Sequence, residues 1–222
     1  MHTIRSVYIA IDKFLSWQGR NGRVSAGFAG YLSGIGVLCI CLALMAGCRS
    51  RESYRSDLED KGIPFSGASF FSAVAVGDRE NVRLFLKAGM DVNVRGGKGE
   101  TPVMLAAALR DTGMVTLLLR EGAMVNAQNN DGYTALMFAS SDGNIEMMEL
   151  LVARGADIDT QNHKGETPLM LASLNDSKKA VILLLEEGAD VHLKNSKGES
   201  ALTYAFLNKE IRSVIRTAMK KR

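Results

Sequence analysis

Residues 165–172 read Gly165-Glu166-Thr167-Pro168-Leu169-Met170-Leu171-Ala172, and altered copies of this octapeptide recur every 33 residues along the chain. A second glycine, at Gly155 and Gly188 among other positions, keeps the same interval between the copies. Self-similarity at a fixed period of about 20 to 50 residues is typical of stacked units, each of which buries its apolar face only against its neighbours. The sequence therefore predicts a repeat solenoid. The copies open at Gly99, Gly132, Gly165 and Gly198.

The copies also indicate the structure of one unit. Thr167 followed by Pro168 is a strong helix start, because the hydroxyl can accept from a free N–H of the first turn and proline fits the first helical position. A second apolar run, residues 145–152 in one unit, ends near Gly155, where glycine supplies the left-handed backbone that closes a helix. The polar remainder is rich in Asn, Asp and Gly, which suits a turn. Each unit is predicted to be a helix, a turn, a second helix and a polar hairpin.

This order of elements resembles the ankyrin-repeat family from about Phe65 to the C-terminus. The family's Gly-x-Thr-Pro-Leu-His-x-Ala phrase is similar to residues 165–172, and its Leu-Leu-x-x-Gly-Ala-Asp phrase is similar to residues 150–157 and 184–190. The resemblance implies an all-α ankyrin-repeat solenoid of about five helix-turn-helix-hairpin units, with degenerate first and last units as caps. The units are expected at 65–95, 96–128, 129–161, 162–194 and 195–222.

The sequence differs from the family pattern in two places, and each difference predicts a structural effect. Methionine or threonine stands where the family has histidine, so packing rather than a polar tie is expected to hold the hairpins, with the methionines as adaptable core residues. The glycine that joins the two helices is present as Gly77 and Gly143 but replaced by Arg110 and Asp176. Left-handed backbone is costly for residues other than glycine, so these two connections are expected to be distorted or looser. The residues at the histidine position are Met104, Met137, Met170 and Thr203.

An uncharged run precedes the repeats and extends over residues 24–48. Its end, Met45-Ala46-Gly47-Cys48, resembles the lipobox of bacterial lipoproteins, which implies removal of residues 1–47 as a signal peptide and lipid attachment to Cys48. The alternative is an uncleaved transmembrane anchor, for which the run is long enough. Either reading places the protein at a bacterial membrane, and the lipoprotein reading has it face the periplasm. Residues 48–64 are charged, lack apolar periodicity and are predicted to be a flexible tether spanning roughly 20–25 Å.

Charge and cysteine content limit the possible classes of function. Residues 49–222 carry 23 basic and 23 acidic residues, so no basic face for nucleic acid is expected. The three cysteines, Cys39, Cys41 and Cys48, all lie before the repeats, which excludes disulfides and thiolate metal sites within the repeats. Residues 65–222 are expected to fold without the preceding segment.

No catalytic constellation is recognised in the repeats. His163 and His192 fall in polar hairpin segments and are predicted to be surface residues, while Asp157, Asp159 and Asp190 recur with the period and are interpreted as hairpin structure. Copper(I) favours thioether ligands such as the periodic methionines, but equivalent helices about 8–10 Å apart separate these side chains too widely for one ion. The chain is therefore predicted to be non-enzymatic, with no cofactor and no metal.

In the family, partner proteins dock on the concave face formed by hairpin tips and inner helices. The resemblance thus implies another protein as partner, with the membrane contacted through the N-terminal segment. Tyr133 is the favoured contact, because it replaces the glutamate of other repeats and aromatic side chains are enriched at binding hot spots; the alternative is a tyrosine packed on the neighbouring hairpin. Two competing roles are an accessory subunit of a periplasmic enzyme and a cytoplasm-facing adaptor. The candidate contacts are Lys98, Glu100, Asn130, Asp131, Tyr133, Ser141, Asp142, His163, Lys164, Glu166, Asn175, Ser196, Lys197 and Glu199.

Overall fold

The computed structural model describes residues 49–221, and within them the only regular secondary structure is helical. The predicted signal peptide and the lipid site at Cys48 lie outside the described residues. Among the residues that are described, no helix is both long and apolar enough to cross a membrane. The helices are α1 Arg51–Asp60, α2 Gly67–Ala75, α3 Arg79–Lys87, α4 Pro102–Ala108, α5 Thr112–Arg120, α6 Ala135–Ser141, α7 Ile145–Ala153, α8 Pro168–Leu174, α9 Lys178–Glu186, α10 Ala201–Tyr204 and α11 Lys209–Lys221.

The predicted helix starts are confirmed. The Thr167 hydroxyl accepts a hydrogen bond from the Met170 N–H at 3.3 Å, with Pro168 at the first helical position. The second helix of each unit begins on a different cap, such as Asn144, whose side chain accepts from the Met147 N–H at 3.2 Å. These caps satisfy backbone donors that have no partner inside the helix. The Thr101 and Ser177 hydroxyls at equivalent positions make no such bond, so side-chain capping marks the start of some of the helices and not of all.

The predicted glycine stop is also confirmed. Gly155 has φ 83°, and the N–H of the following Ala156 donates to the Leu151 carbonyl at 3.0 Å. This pattern of a left-handed residue and a bond back across the last turn closes the helix and turns the chain towards the hairpin.

The expectation of distorted connections at Arg110 and Asp176 is wrong. Both residues adopt left-handed backbone, at φ 63° and 54°, close to the 64° of Gly143 in the equivalent connection. The bond that closes the connection is kept, since the Asp111 N–H donates to the Ala106 carbonyl at 3.0 Å. Packing of the flanking helices therefore holds these residues in a conformation that costs them free energy.

The helices form two rows. The first helices of the units, α2, α4, α6, α8 and α10, pack in order and form the inner row, and each packs on the second helix of its own unit. Small residues such as Ala106, Ala139 and Ala172 are buried between inner helices. Met104, Met137 and Met170 are at most 1% exposed, so the methionines at the family's histidine position are core residues, as predicted.

The prediction of a flexible tether before the repeats is wrong for residues 51–60, which form α1. This helix packs on α3, and Leu58 is fully buried. The Arg55 guanidinium lies 4.3 Å from the centre of the Phe65 ring and donates to the Ala88 carbonyl at 3.3 Å. Tyr54 also packs against the core, with the Lys87 ammonium group 5.5 Å from the centre of its ring. A few apolar and cation–π contacts thus attach α1 to the first repeat.

Candidate functional site

A ladder of side-chain hydrogen bonds links successive hairpins. Arg95 donates to the Gln128 carbonyl at 2.8 Å, Gln128 to the Gln161 carbonyl at 3.0 Å, and Gln161 to the Lys194 carbonyl at 3.0 Å. These four residues occupy the same repeat position, so each donor reaches the residue 33 positions later. The ladder joins the hairpins along one edge of the stack. The expectation that packing rather than polar contacts holds the hairpins is therefore wrong, because side chains at other positions supply the polar ties.

The hairpins of the last two units are also stabilised by a buried asparagine within each hairpin. The buried Asn162 accepts from the backbone N–H groups of Lys164 and Glu166, both at 2.9 Å, and Asn195 does the same in the next hairpin. Neighbouring tips are joined directly, since the Ser196 N–H donates to the Lys164 carbonyl at 2.9 Å. The tips therefore present their side chains from a rigid backbone.

The periodic aspartates serve the hairpins, as the sequence indicated. Asp159 accepts from the Asp190 N–H at 2.9 Å, and Asp157 accepts from the Asp159 N–H at 3.0 Å. His163 and His192 are both exposed, in agreement with their prediction as surface residues. Within residues 49–220, no cluster of His, Cys, Asp and Glu side chains has the arrangement of a metal site.

An open groove of about 740 Å³ runs between the inner helices and the first hairpin. Its walls include Ser72 and Ala75 of α2, Leu105 of α4, and Arg95 and Glu100 of the hairpin. By repeat register the counterparts of these residues in the last two units are Leu171, Leu174, Tyr204, Lys194 and Glu199, of which Leu171 is buried. The side of the stack formed by the inner helices and hairpins is called the concave surface below, after the face that the sequence resemblance implies.

The candidate partner contacts divide into two groups on this surface. Asp142 forms a salt bridge with Arg110 of the preceding unit at 3.0 Å. Glu100, Glu166 and Glu199 are half-buried and accept hydrogen bonds from their own hairpins, as Glu100 does from the Lys98 N–H at 2.8 Å. The exposed group is Lys98, Asn130, Asp131, Ser141, Asp142, His163, Lys164, Asn175, Ser196 and Lys197. Asp142 is paired and the Lys164 charge acts on the Glu166 carboxylate, so the other exposed side chains are the ones available to a partner, whereas the glutamates are committed to hairpin structure.

Tyr133 is half-buried rather than projecting freely. Its ring lies 5.6 Å from that of Phe138, and its hydroxyl donates to Glu166 of the next unit at 3.4 Å. This is the alternative considered from the sequence, a tyrosine packed on the neighbouring hairpin. Its part in partner binding stays a prediction.

Glu166 is the centre of a polar cluster that joins three units. Tyr204 donates to one carboxylate oxygen at 2.7 Å, and Asn162 donates to the other at 2.8 Å. Burial opposes ionisation of Glu166, but the bonds from Asn162 and Tyr204 outweigh it and lower the pKa of this carboxyl. Burial and the bond to Glu166 raise the pKa of Tyr204 to about 12, and burial with the Glu166 charge raises the pKa of Tyr133. The cluster is most stable with an ionised glutamate and two neutral phenols.

Sequence reasoning missed the apolar part of the concave surface. Leu174 is 56% exposed at the end of α8, while Phe206 and Leu207 after α10 are 61% and 76% exposed. Leu174 and Leu207 share a repeat position with Ala75, which lines the groove of the first units. That shared position is the signal that could have found them.

Comparison with known proteins identifies one matching family. The family described as ankyrin repeats in three copies matches residues 70–162 and 144–217, so the matches together extend over residues 70–217 of the 222-residue chain. No curated protein matches the chain. The matched range contains the hairpin ladder and the Glu166 cluster.

Proposed function

The chain belongs to the ankyrin-repeat family, and from this we propose that it is a non-enzymatic protein-binding module held at a membrane by its N-terminal segment. Ankyrin repeats imply interaction with another protein. The observation that carries the proposal is the concave surface, where a rigid hairpin ladder presents exposed polar side chains beside an open groove. A preformed surface of this kind binds with little loss of conformational entropy.

The membrane part of the proposal rests on the sequence. The uncharged run that ends at Cys48 supports a lipid-modified N-terminus after removal of residues 1–47. Cys48→Ser should abolish uptake of a labelled fatty acid and leave the precursor uncut. A wild-type protein that takes up no labelled acyl chain and retains residues 1–47 would instead be held by an uncleaved helix.

The binding part is tested by blocking the concave surface sterically. Ser141 ends α6 and Asn175 caps α8, and both are exposed. Ser141→Tyr with Asn175→Tyr should leave the melting midpoint nearly unchanged, because exposed substitutions usually change stability by no more than about 0.5 kcal/mol each. Crosslinking in intact cells followed by affinity capture should then recover much less partner than the wild type does.

The matched control lies on the outer helices. Glu149 in α7 and Arg154, which caps that helix, are also exposed. Glu149→Tyr with Arg154→Tyr should capture partner at the wild-type yield. Loss of partner from this pair but not from the concave pair would place the binding surface on the outer helices and overturn the proposal.

A further inference from the structure

Basic side chains lie in a row along one side of α11. At about 3.6 residues per turn they all fall within about 80° of the helix circumference, and at about 1.5 Å per residue the row is roughly 16 Å long. Ile211 and Ile215 are fully buried and lie in a different sector, so the row does not face the core. This basic row consists of Lys209, Arg212, Arg216 and Lys220, all exposed except the half-buried Arg212.

The acidic side chains near α11 leave the charge of this row in place. Glu210, the one acidic residue in the sequence of α11, pairs with Lys178 of α9 at 2.8 Å. Glu186 and Glu210 line the groove between α9 and α11, which no member of the basic row lines. The helix α9 with its cap carries two lysines and two glutamates, and α10 carries no charged residue. Among the described residues the row takes part in no salt bridge, so its net charge is positive although residues 49–222 are balanced.

An exposed phenylalanine precedes the basic row, in the turn between α10 and α11. Phe206 is 61% exposed, whereas its counterparts in the other four units are at most 1% exposed. The inner helix α10 ends at Tyr204, before this position, whereas α8 continues past it to Leu174. A phenylalanine ring would overfill a position that alanine or serine occupies, so the last unit presents the ring to solvent. The counterparts are Val74, Ala107, Ser140 and Ser173.

The turn lies directly beside the basic row. The Arg212 guanidinium donates a long hydrogen bond, of 3.5 Å, to the Phe206 carbonyl. Because this acceptor is neutral, the bond leaves the charge of Arg212 in place. The Asn208 side chain accepts from the Ile211 N–H at 3.1 Å, which fixes the start of α11 next to the turn. Leu207, between these residues, is 76% exposed. Two exposed apolar side chains therefore adjoin four positive charges.

We propose that the basic row, together with Phe206 and Leu207, binds the surface of a membrane that contains anionic phospholipids. Clusters of four to eight Lys and Arg side chains on an amphipathic helix are typical of contact with anionic headgroups. Phenylalanine and leucine beside such charges are typical of segments that lie at the boundary between headgroups and acyl chains.

The membrane attachment in the proposed function favours a lipid surface over another polyanion. The N-terminal segment would hold the chain at a membrane, which raises the effective concentration of headgroups around the basic row. The inference rests on that attachment and adds a second contact, at the opposite end of the repeats. It assigns a role to α11 that the concave surface does not need.

The test follows a tryptophan in the turn of the full chain, in lipid vesicles. Trp17 is the one tryptophan of the sequence, so Trp17→Phe with Phe206→Trp leaves a single reporter. The vesicles contain phosphatidylcholine with brominated acyl chains, which quench a tryptophan that enters the bilayer, and are made with and without about one-third phosphatidylglycerol. Quenching should be at least about twofold stronger with the anionic lipid. The difference should shrink as salt is raised, because the row is exposed.

A matched reporter and matched charge variants locate the contact. Met124 is 62% exposed, and a single tryptophan there should show no dependence on the anionic lipid. In the Phe206→Trp chain, Arg216→Gln with Lys220→Gln should remove at least half of the anionic-lipid effect. Arg120→Gln with Lys179→Gln, two exposed cations outside the row, should leave the effect unchanged.

Three results would overturn the inference. The first is equal quenching of the Phe206→Trp reporter in the two kinds of vesicle. The second is quenching that the loss of Arg216 and Lys220 does not change. The third is release of the quenching by an equimolar single-stranded oligonucleotide, which would assign the basic row to nucleic acid instead.

Vesicle flotation separates this inference from the proposed attachment. A chain held by its N-terminal segment should float with vesicles of both compositions. Flotation with both, without quenching that depends on anionic lipid, would retain the attachment and reject the lipid contact of the basic row. Flotation with anionic vesicles alone, lost from the Arg216→Gln, Lys220→Gln variant, would reject the attachment and support the contact.

Discussion

The hydroxyl of Tyr204 donates a 2.7 Å hydrogen bond to Glu166, 38 residues earlier in the chain. Tyr204 is the last residue of α10, a helix of only four residues, and Glu166 lies in the hairpin of the preceding unit. The hydroxyl of Tyr133, which lies in the unit before that of Glu166, donates to the second carboxylate oxygen at 3.4 Å. One side chain therefore links three successive units on the concave surface.

Removing the Tyr204 hydroxyl should destabilise the fold. Tyr204→Phe keeps the ring but loses the bond to an ionised acceptor, so the free energy of unfolding should fall by about 1 kcal/mol. Tyr133→Phe is the matched comparison, because its bond to the same carboxylate is longer, at 3.4 Å. Denaturant unfolding should show the smaller loss for Tyr133→Phe. Equal losses of unfolding free energy would mean that the Tyr204 hydrogen bond contributes no more to stability than the longer Tyr133 bond.

The Glu166 cluster should also weaken in acid. Its pKa is lower in the folded chain than the ordinary value of about 4.3 for glutamate, so folding favours the ionised form. The stabilisation is present above that ordinary value and is lost as pH falls through the folded pKa. The stability difference between wild type and Glu166→Gln should therefore shrink as denaturant unfolding is repeated at lower pH. If the difference instead grew at lower pH, folding would raise the pKa of Glu166, and the assignment of a lowered pKa would be wrong.

The repeated hairpin glycines should differ in their tolerance of alanine. Gly165 and Gly198 have nearly equal φ, 75° and 78°. A Cβ at Gly165 would meet the backbone of Asn195 and Ser196 at 2.9 Å, whereas one at Gly198 would meet nothing within 4 Å. Gly198→Ala should cost about 1 kcal/mol from backbone strain alone, and Gly165→Ala about 1–3 kcal/mol more from the clash. Thermal or denaturant unfolding measures both, and equal costs would show that neighbouring hairpins separate easily.

Helix α1 should contribute to the stability of the repeats. Leu58→Ala removes a fully buried side chain and should cost about 2–4 kcal/mol, while Ser56→Ala on the exposed side of the helix should cost no more than about 0.5 kcal/mol. A fragment of residues 50–222 should likewise melt at a higher temperature than residues 65–222. Identical melting of the two fragments would show that α1 is only loosely attached.

The repeating features could be predicted from the sequence because they depend on local stereochemistry. Thr167 caps a helix and Gly155 closes one through bonds to residues a few positions away, and both recur with the period. The left-handed backbone at Arg110 could not be predicted, since it depends on packing that overrides the preference of that residue. Periodicity identifies what all units share and says little about what distinguishes one unit.

The features that distinguish individual units depend on contacts between distant parts of the chain. Leu58 is one leucine in a charged segment, and its burial follows only from where α1 packs. Glu166 and Glu199 were predicted as partner contacts on their position alone, yet their carboxylates accept hydrogen bonds within the stack. The exposed leucines Leu174 and Leu207 are recognised only when the repeat register is combined with the groove of the first units.

Because of helix α1, inserting a repeat at the N-terminal end of the stack should have a different effect from inserting one in the centre. A solenoid of 33-residue units could gain or lose a unit wherever both neighbours are equivalent. At the N-terminal end, α1 fits its own unit through Leu58, the contact of Arg55 with Phe65 and the ion pair of Lys61 with Glu80 at 2.8 Å. A unit inserted there would separate α1 from these specific contacts. An inserted unit is therefore expected to disturb the stack less among the central units, where Gly132 and Gly165 approach the backbone of the next hairpin in the same way.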